Sequence, residues 1–321
     1  MGLACLLAVL GTTCTPLSVG QRLVMKAPDR PTIVIVKSSQ LEALDIPFTA
    51  FTSQVDASVW SFVVTPEQDD EALADEISAL QPALIVALGA TATTLAFERF
   101  PNTPTLVALV VNYRRLQLAQ RPNVMVIALE PPAAAEFIQF QLVLPTLRRV
   151  LAFYAPHESA ELVKSAKVQL AAMDIELVAI PVSSIDDVPD AYQANKKGKD
   201  AVWFLNDSVI MNPKTFAYLR THTLQDRLPF IASLSEDFAV NGALMSVSVD
   251  LRSLAGQALI MEKLLVEQGK KPSEIGVQPP IGAKLVVNTD VAKAIGLELP
   301  DDIQPFIRKA RTHTARGAGK D

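Results

Sequence analysis

Short apolar runs and amphipathic stretches take turns along this chain. Thr32–Val36 is a run of β-branched residues, the pattern of a strand covered on both faces, and Ser58–Thr65 gives a second. Residues 67–80 place Ala72, Leu73, Ile77 and Leu80 on one helical face, with acidic residues crowding the first turn, where the helix dipole favours them, and Pro82 as a stop. ALIVAL at 83–88 predicts a third strand, and GATATT at 89–94 opens a helix through Phe100. Thr105–Val111 and Val124–Leu129 predict the next two strands, and Pro131-Pro132 starts a helix over 132–144.

The alternation then restarts. Strands are expected at Arg149–Tyr154, Glu176–Pro181, Ala201–Leu205 and Phe230–Ser233, with helices at Glu158–Met173, Asp186–Lys197 and Pro213–Thr221. Two runs of strand–helix alternation predict an α/β protein with two doubly wound parallel-sheet lobes, each with its strand-to-helix loops at the carboxyl edge of its sheet. The remainder adds a strand at Ala243–Val249, a helix at 251–268, an irregular Pro- and Gly-rich connection at 269–282, a strand at Lys284–Asn288 and a helix at 289–296. That is too little for a third lobe. These pieces return to the first two sheets, which predicts three chain crossings near residues 123, 245 and 277 and a hinge between the lobes. The expected division is 31–122 plus 245–276 for lobe one and 123–244 plus 277–308 for lobe two.

The ends differ from the body. The run from Leu3 to Leu10 is apolar and too short to span a bilayer, so residues 1–14 read as an export signal, and Cys14 after small residues is a candidate lipidation site. A lipid there would be the chain's only tie to a membrane. Residues 15–30 lack periodicity and read as a tether, and 309–321 as a flexible basic tail. The last 14 residues carry five basic residues and one Asp, which leaves the body with 24 basic against 33 acidic residues. An acidic body without a basic stripe argues against nucleic acid as a partner. With 321 residues and 50% hydrophobic content, the chain can fill two sizeable cores.

In the second half, Leu144-Pro145, Arg148-Arg149-Val150 and Tyr154-Ala155-Pro156-His157-Glu158 form an ordered series. It continues through Leu228-Pro229-Phe230, Gly242-Ala243-Leu244, Asp250, Gly256-Gln257-Ala258 and Gly269-Lys270-Lys271-Pro272, and closes on VNTDVAKAIGLELP with Asn288, Ala292, Gly296-Leu297 and Pro300. Order and spacing together resemble the ABC transporter substrate-binding proteins of the tryptophan/tyrosine type, over about residues 31–308. The resemblance implies a fold like that of type I periplasmic binding proteins, with a three-crossover hinge. It also implies a monomer that binds a small molecule, often an aromatic amino acid, in the cleft between lobes, and an ABC permease as partner. The chain departs from the family where Asp-Pro-Val is common after the fourth strand, since Val111-Asn112-Tyr113-Arg114-Arg115 stands there. It departs again where an Asn-Ser pair is common after Glu158, since Ala160-Glu161 stands there.

Candidate ligand contacts lie in the carboxyl-edge loops. Ala90, Thr91 and Thr93 open a helix whose amides and dipole suit an anion, with Thr91 or Thr93 also reading as its cap. Ser38 and Ser39 follow the first strand, as contacts or as caps. Asn112 and Tyr113 end the fourth strand; Tyr113 could stack on a ring, and Arg114 beside it could pair with a carboxylate. In lobe two the candidates are Tyr154 and His157 at one turn, Asp207 and Ser208 at another, and Ser233 and Glu236 at a third. The resemblance places an Asp at the position of Asp207, where it could neutralise a ligand ammonium; the alternative is that it ends the strand and caps the next turn.

Enzyme readings find no support. The chain has no nucleophile elbow, no phosphate loop, no HExxH and no Cys beyond Cys14, and its three His show no ligand spacing, so neither cofactor nor metal is expected. The leading expectation is therefore an exported solute-binding protein. The alternative is a divergent member without a transport role, acting as a sensory or envelope-assembly partner.

Overall fold

A computed structural model describes residues 22–25, 29–38, 49–65, 70–207, 209–301 and 308–310. The expected export signal and Cys14 lie outside the described residues.

Successive residues of the apolar strands point to opposite faces, and both faces are filled. In Thr32–Lys37, Ile33 and Ile35 join one core cluster while Val34 and Val36 join another across the sheet. Leu84–Leu88 divides in the same way. Around the second sheet, Val150 and Ala152 face one core, and Leu151 and Phe153 the other. Burial on both faces is why these strands read as continuous hydrophobic runs.

Among the described residues each sheet has seven strands. The first runs, in spatial order, Arg22–Met25, Ser58–Val63, Thr32–Lys37, Leu84–Leu88, Thr105–Ala108, Val124–Ile127, Val277–Gln278, and is parallel except for Arg22–Met25 at its edge. The second runs Arg308–Ala310, Ala283–Asn288, Met245–Val249, Phe230–Ser233, Ala201–Phe204, Arg149–Tyr154, Glu176–Pro181. There Ala283–Asn288 lies antiparallel to Met245–Val249. Helices cover the faces, among them Ala90–Arg99 in lobe one and Pro156–Ala171 in lobe two. The fold is the expected one: two α/β lobes of mainly parallel sheets, like type I periplasmic binding proteins.

The lobe boundaries move by one strand at each crossing. Val124–Ile127 pairs within the first sheet, so the chain leaves lobe one after it and not near residue 123. Met245–Val249 belongs to the second sheet, and the return to lobe one follows it, with Leu254, Ala255 and Ala258 of the next helix packed in the lobe-one core. Val277–Gln278 pairs with Val126 and Ile127 before the last crossing. Each strand before a crossing pairs within the sheet of the lobe it is leaving. Apolar periodicity reveals a strand without revealing its partner.

The ends also take part in the sheets. Arg22–Met25, within the expected tether, pairs with Ser58–Val63, and Arg308–Ala310, at the start of the expected tail, pairs with Val286, Val287 and Asn288. The stretch read as irregular holds a one-turn helix, Pro272–Ile275. The fourth strand stops at Ala108, and two short 3-10 turns, Tyr113–Leu116 and Leu118–Gln120, follow it.

Candidate functional site

After Thr105–Ala108 the chain turns sharply, with Leu109 and Asn112 in the left-handed region at φ 60 and φ 53. This turn belongs to lobe one and reaches lobe two through its polar groups. The Asn112 amide N–H donates to Glu130 Oε1, and its Nδ2 donates to the Glu158 carbonyl at 3.2 Å. Arg115 pairs with the Glu158 carboxylate at 3.0 Å. A cavity of about 300 Å³ lies against this bridge, lined by Ala90, Leu109 through Asn112, Arg115 and Asn206. Its wall combines apolar Leu109, Val110 and Val111 with a guanidinium, two carboxamides and the start of a helix.

That helix is set by a close approach. Gly89 has φ +91, and a Cβ on it would lie 2.7 Å from Ser38 Oγ. The approach lets Ser38 Oγ accept the Ala92 N–H at 3.0 Å, so the cap comes from the neighbouring strand end. Neither threonine caps the helix. Thr93 is buried and donates back to the Gly89 carbonyl at 2.8 Å, and Thr91 is exposed beside Ala90.

Behind the cleft sits a smaller polar cavity of about 40 Å³, lined by Glu130, Glu136, Ser165, Gln169, Asn206 and Ser233 among others. Glu130 Oε1 also accepts from Asn206 Nδ2 at 2.8 Å. Ser233 Oγ donates to Glu136 Oε2 at 2.5 Å and accepts from Trp203 Nε1 at 2.9 Å. Burial raises both carboxyl groups above the usual range, Glu136 to about 8, with the nearby Glu130 charge adding to the shift. Arg114 and the hydrogen bonds to Glu130 pull the other way without reversing the rise.

The expected site residues divide. Ala90 and Asn112 line the cleft, and Thr91 stands beside it at the helix start. Ser38 supports the cleft through the cap. Ser233 reaches the rear cavity. Tyr113 packs against the lobe-one core with the Arg114 guanidinium 4.9 Å from its ring centroid, and Tyr154 packs against the lobe-two core. His157 is exposed, with Nε2 3.9 Å from Glu158 Oε1, and Glu236 is half-buried at the start of the short helix Asp237–Val240. Asp207 is 1% exposed, and its two oxygens accept the N–H groups of Ala155, Val209 and Ile210 at 2.8, 2.9 and 3.0 Å. It braces the loops, the alternative to the ligand contact expected from sequence, because both its oxygens are taken by backbone N–H groups. Ser39 and Ser208 lie outside the described residues.

Arg115, Glu130 and Glu136 were not singled out by sequence. Glu130 before two prolines and Glu136 inside the apolar stretch AAAEFIQF were the available signals, and each reads equally well as a solvated first-turn acid.

Two α/β lobes, chain passages between them, and a cleft at their facing loops define a two-lobe ligand-binding protein. A family model described as ABC transporter substrate binding protein matches residues 64–309, and the chain belongs to that family. It is thus a substrate-binding protein of an ABC transporter, from a non-enzymatic family that works outside the cytoplasmic membrane. No curated protein matches the chain. Among solved structures it is similar to the ligand-free, open form of a substrate binding protein with adhesive properties from Clostridium difficile, at 17% identity and TM-score 0.71, covering 88% of this chain and 99% of that one. A conserved domain protein from Vibrio cholerae gives 17% and 0.60, with the same coverage. An ABC domain in complex with L-Trp from Streptococcus pneumonia gives 17% and 0.59, again with 88% and 99% covered. At this identity the likeness concerns the fold. Among the described residues no helix is long and apolar enough to cross a membrane.

Proposed function

We propose that the ligand is a small amino acid, aromatic types foremost, held in the cleft and handed to a permease. The observation that carries this reading is the composition of the 300 Å³ cavity wall, apolar at Leu109–Val111 and cationic at Arg115, beside the helix start at Ala90. A carboxylate suits Arg115 and the helix start. An apolar side chain suits the Leu109–Val111 wall, and the volume sits at the small end of ligand pockets. Ligand touching both lobes would favour the closed arrangement by its differential affinity, and the permease would read that arrangement. The L-Trp bound by the pneumococcal neighbour agrees with this choice. The reading includes a monomer tethered by a lipid on Cys14, which mass spectrometry of the mature N-terminus checks.

A thermal-shift panel of the L-amino acids tests the ligand. A true ligand at about 100 times its Kd adds about 2.7 kcal/mol to stability. The expected result is a shift with L-tryptophan, L-tyrosine or L-phenylalanine that Arg115→Ala diminishes. A folded protein that none of the panel stabilises sinks this reading.

A further inference from the structure

The rear cavity presents acceptors with nothing to accept. Glu130 is 8% exposed; its Oε1 takes two donors, and its Oε2 has no hydrogen-bond partner among the described residues. Asn206 is 5% exposed, gives its Nδ2 to Glu130, and leaves Oδ1 equally without a partner among the described residues. A second carboxyl, Glu136, borders the same space. A buried acceptor left unmatched costs free energy, so two of them beside two acids ask for a donor.

We propose that this cavity is a subsite for a primary ammonium group, the cationic end of the ligand held in the cleft. The proposal rests on the amino-acid reading above and extends it to a named contact. A primary ammonium carries three donors and no acceptor, the complement of Glu130 Oε2, Asn206 Oδ1 and the Glu136 carboxyl. A ligand carboxylate or carbonyl would set acceptor against acceptor. The volume of about 40 Å³ has room for a group the size of a few waters. Metal binding is a poorer fit, because no cluster of three or more His, Cys, Asp or Glu exists among the described residues. Arg114 borders the cavity too, but its guanidinium is exposed and lies over the Tyr113 ring. Asn206 lines both the rear cavity and the cleft, so the two spaces adjoin at its side chain, and an α-amino acid carries its ammonium and carboxylate on one carbon, as neighbouring subsites require.

Calorimetry with L-tryptophan, 3-indolepropionate, which lacks the amino group, and tryptamine, which lacks the carboxylate, tests the subsite on wild type and on Glu130→Gln. Gln keeps an oxygen for the Asn112 and Asn206 donors, and a cooperative melt verifies its fold; Glu136→Gln serves as a second variant. L-Tryptophan is expected to bind at least tenfold more tightly than 3-indolepropionate, and Glu130→Gln to weaken L-tryptophan and tryptamine while sparing 3-indolepropionate. Equal affinity for L-tryptophan and 3-indolepropionate, or equal weakening of all three, overturns the subsite. Methylammonium chloride, matched against sodium chloride, probes the cavity without the rest of the cleft. It is expected to stabilise wild type more than Glu130→Gln, and equal shifts overturn the subsite. If methylammonium discriminates while no indole compound binds, the subsite stands and the amino-acid reading fails.

Discussion

Asp207 shows how one carboxylate can hold two loops together. It receives N–H groups from Ala155, at the turn into Pro156–Ala171, and from Val209 and Ile210, just beyond its own strand. Hydrogen bonds to a charged group contribute about 1.5–3 kcal/mol each, and a buried donor left alone costs about 1–3 kcal/mol. Asp207→Ala is therefore expected to lower stability by about 3 kcal/mol or more, read from the urea midpoint and slope. A midpoint equal to wild type would remove Asp207 from this role. In sequence, an Asp after a strand looks the same whether it braces a loop or faces a ligand. Ala90 and Asn112 were legible as cleft residues because strand ends in parallel sheets share one edge. Arg115 and Glu130 were not, because a charged residue in a loop reads as solvated until its burial and cross-lobe partners are known.

Helix Ala133–Val143 carries Glu136 in its first turn, where the dipole welcomes an acid, yet the side chain is fully enclosed. Its carboxyl rises from 4.5 to about 8 because burial penalises the charged form. The folded state therefore holds a proton that the unfolded chain has already released. Stability from this group is complete below about pH 4.5, falls as pH rises through the window up to about 8, and then levels off. Glu136→Gln, which cannot ionise, is expected to flatten the decline between pH 5 and 8 in urea unfolding. An unchanged slope across that window would place the titration elsewhere. The helix was legible from its paired prolines and apolar content, as were the main strands from their β-branched runs. The edge strands Arg22–Met25 and Arg308–Ala310 were not, because three or four residues with basic side chains carry no period. Nor could periodicity assign Val124–Ile127 to its sheet, since that choice is made by ladder pairing with Thr105–Ala108.

An ion pair and hydrogen bonds link the lobes across the cleft, and that makes closure adjustable. Arg115 of lobe one meets Glu158 of lobe two at 3.0 Å, with the Glu158 side chain 15% exposed and Arg115 59% exposed. A half-exposed pair of this kind contributes about 0.5–1 kcal/mol, a two- to fivefold weight on the closed arrangement. Asn112 adds a hydrogen bond to the Glu158 carbonyl, which a side-chain change leaves in place. Glu158→Gln isolates the charge. It is expected to shift the population toward open forms and to raise the radius of gyration measured by small-angle X-ray scattering. Salt supplies the control, because screening weakens an exposed pair. Raising ionic strength should expand wild type toward the variant and leave Glu158→Gln nearly unchanged. If the two proteins scatter alike at low salt, the Arg115–Glu158 pair does not govern closure. Because the same arginine borders the cleft, a ligand carboxylate that draws Arg115 away must supply its own contacts to both lobes.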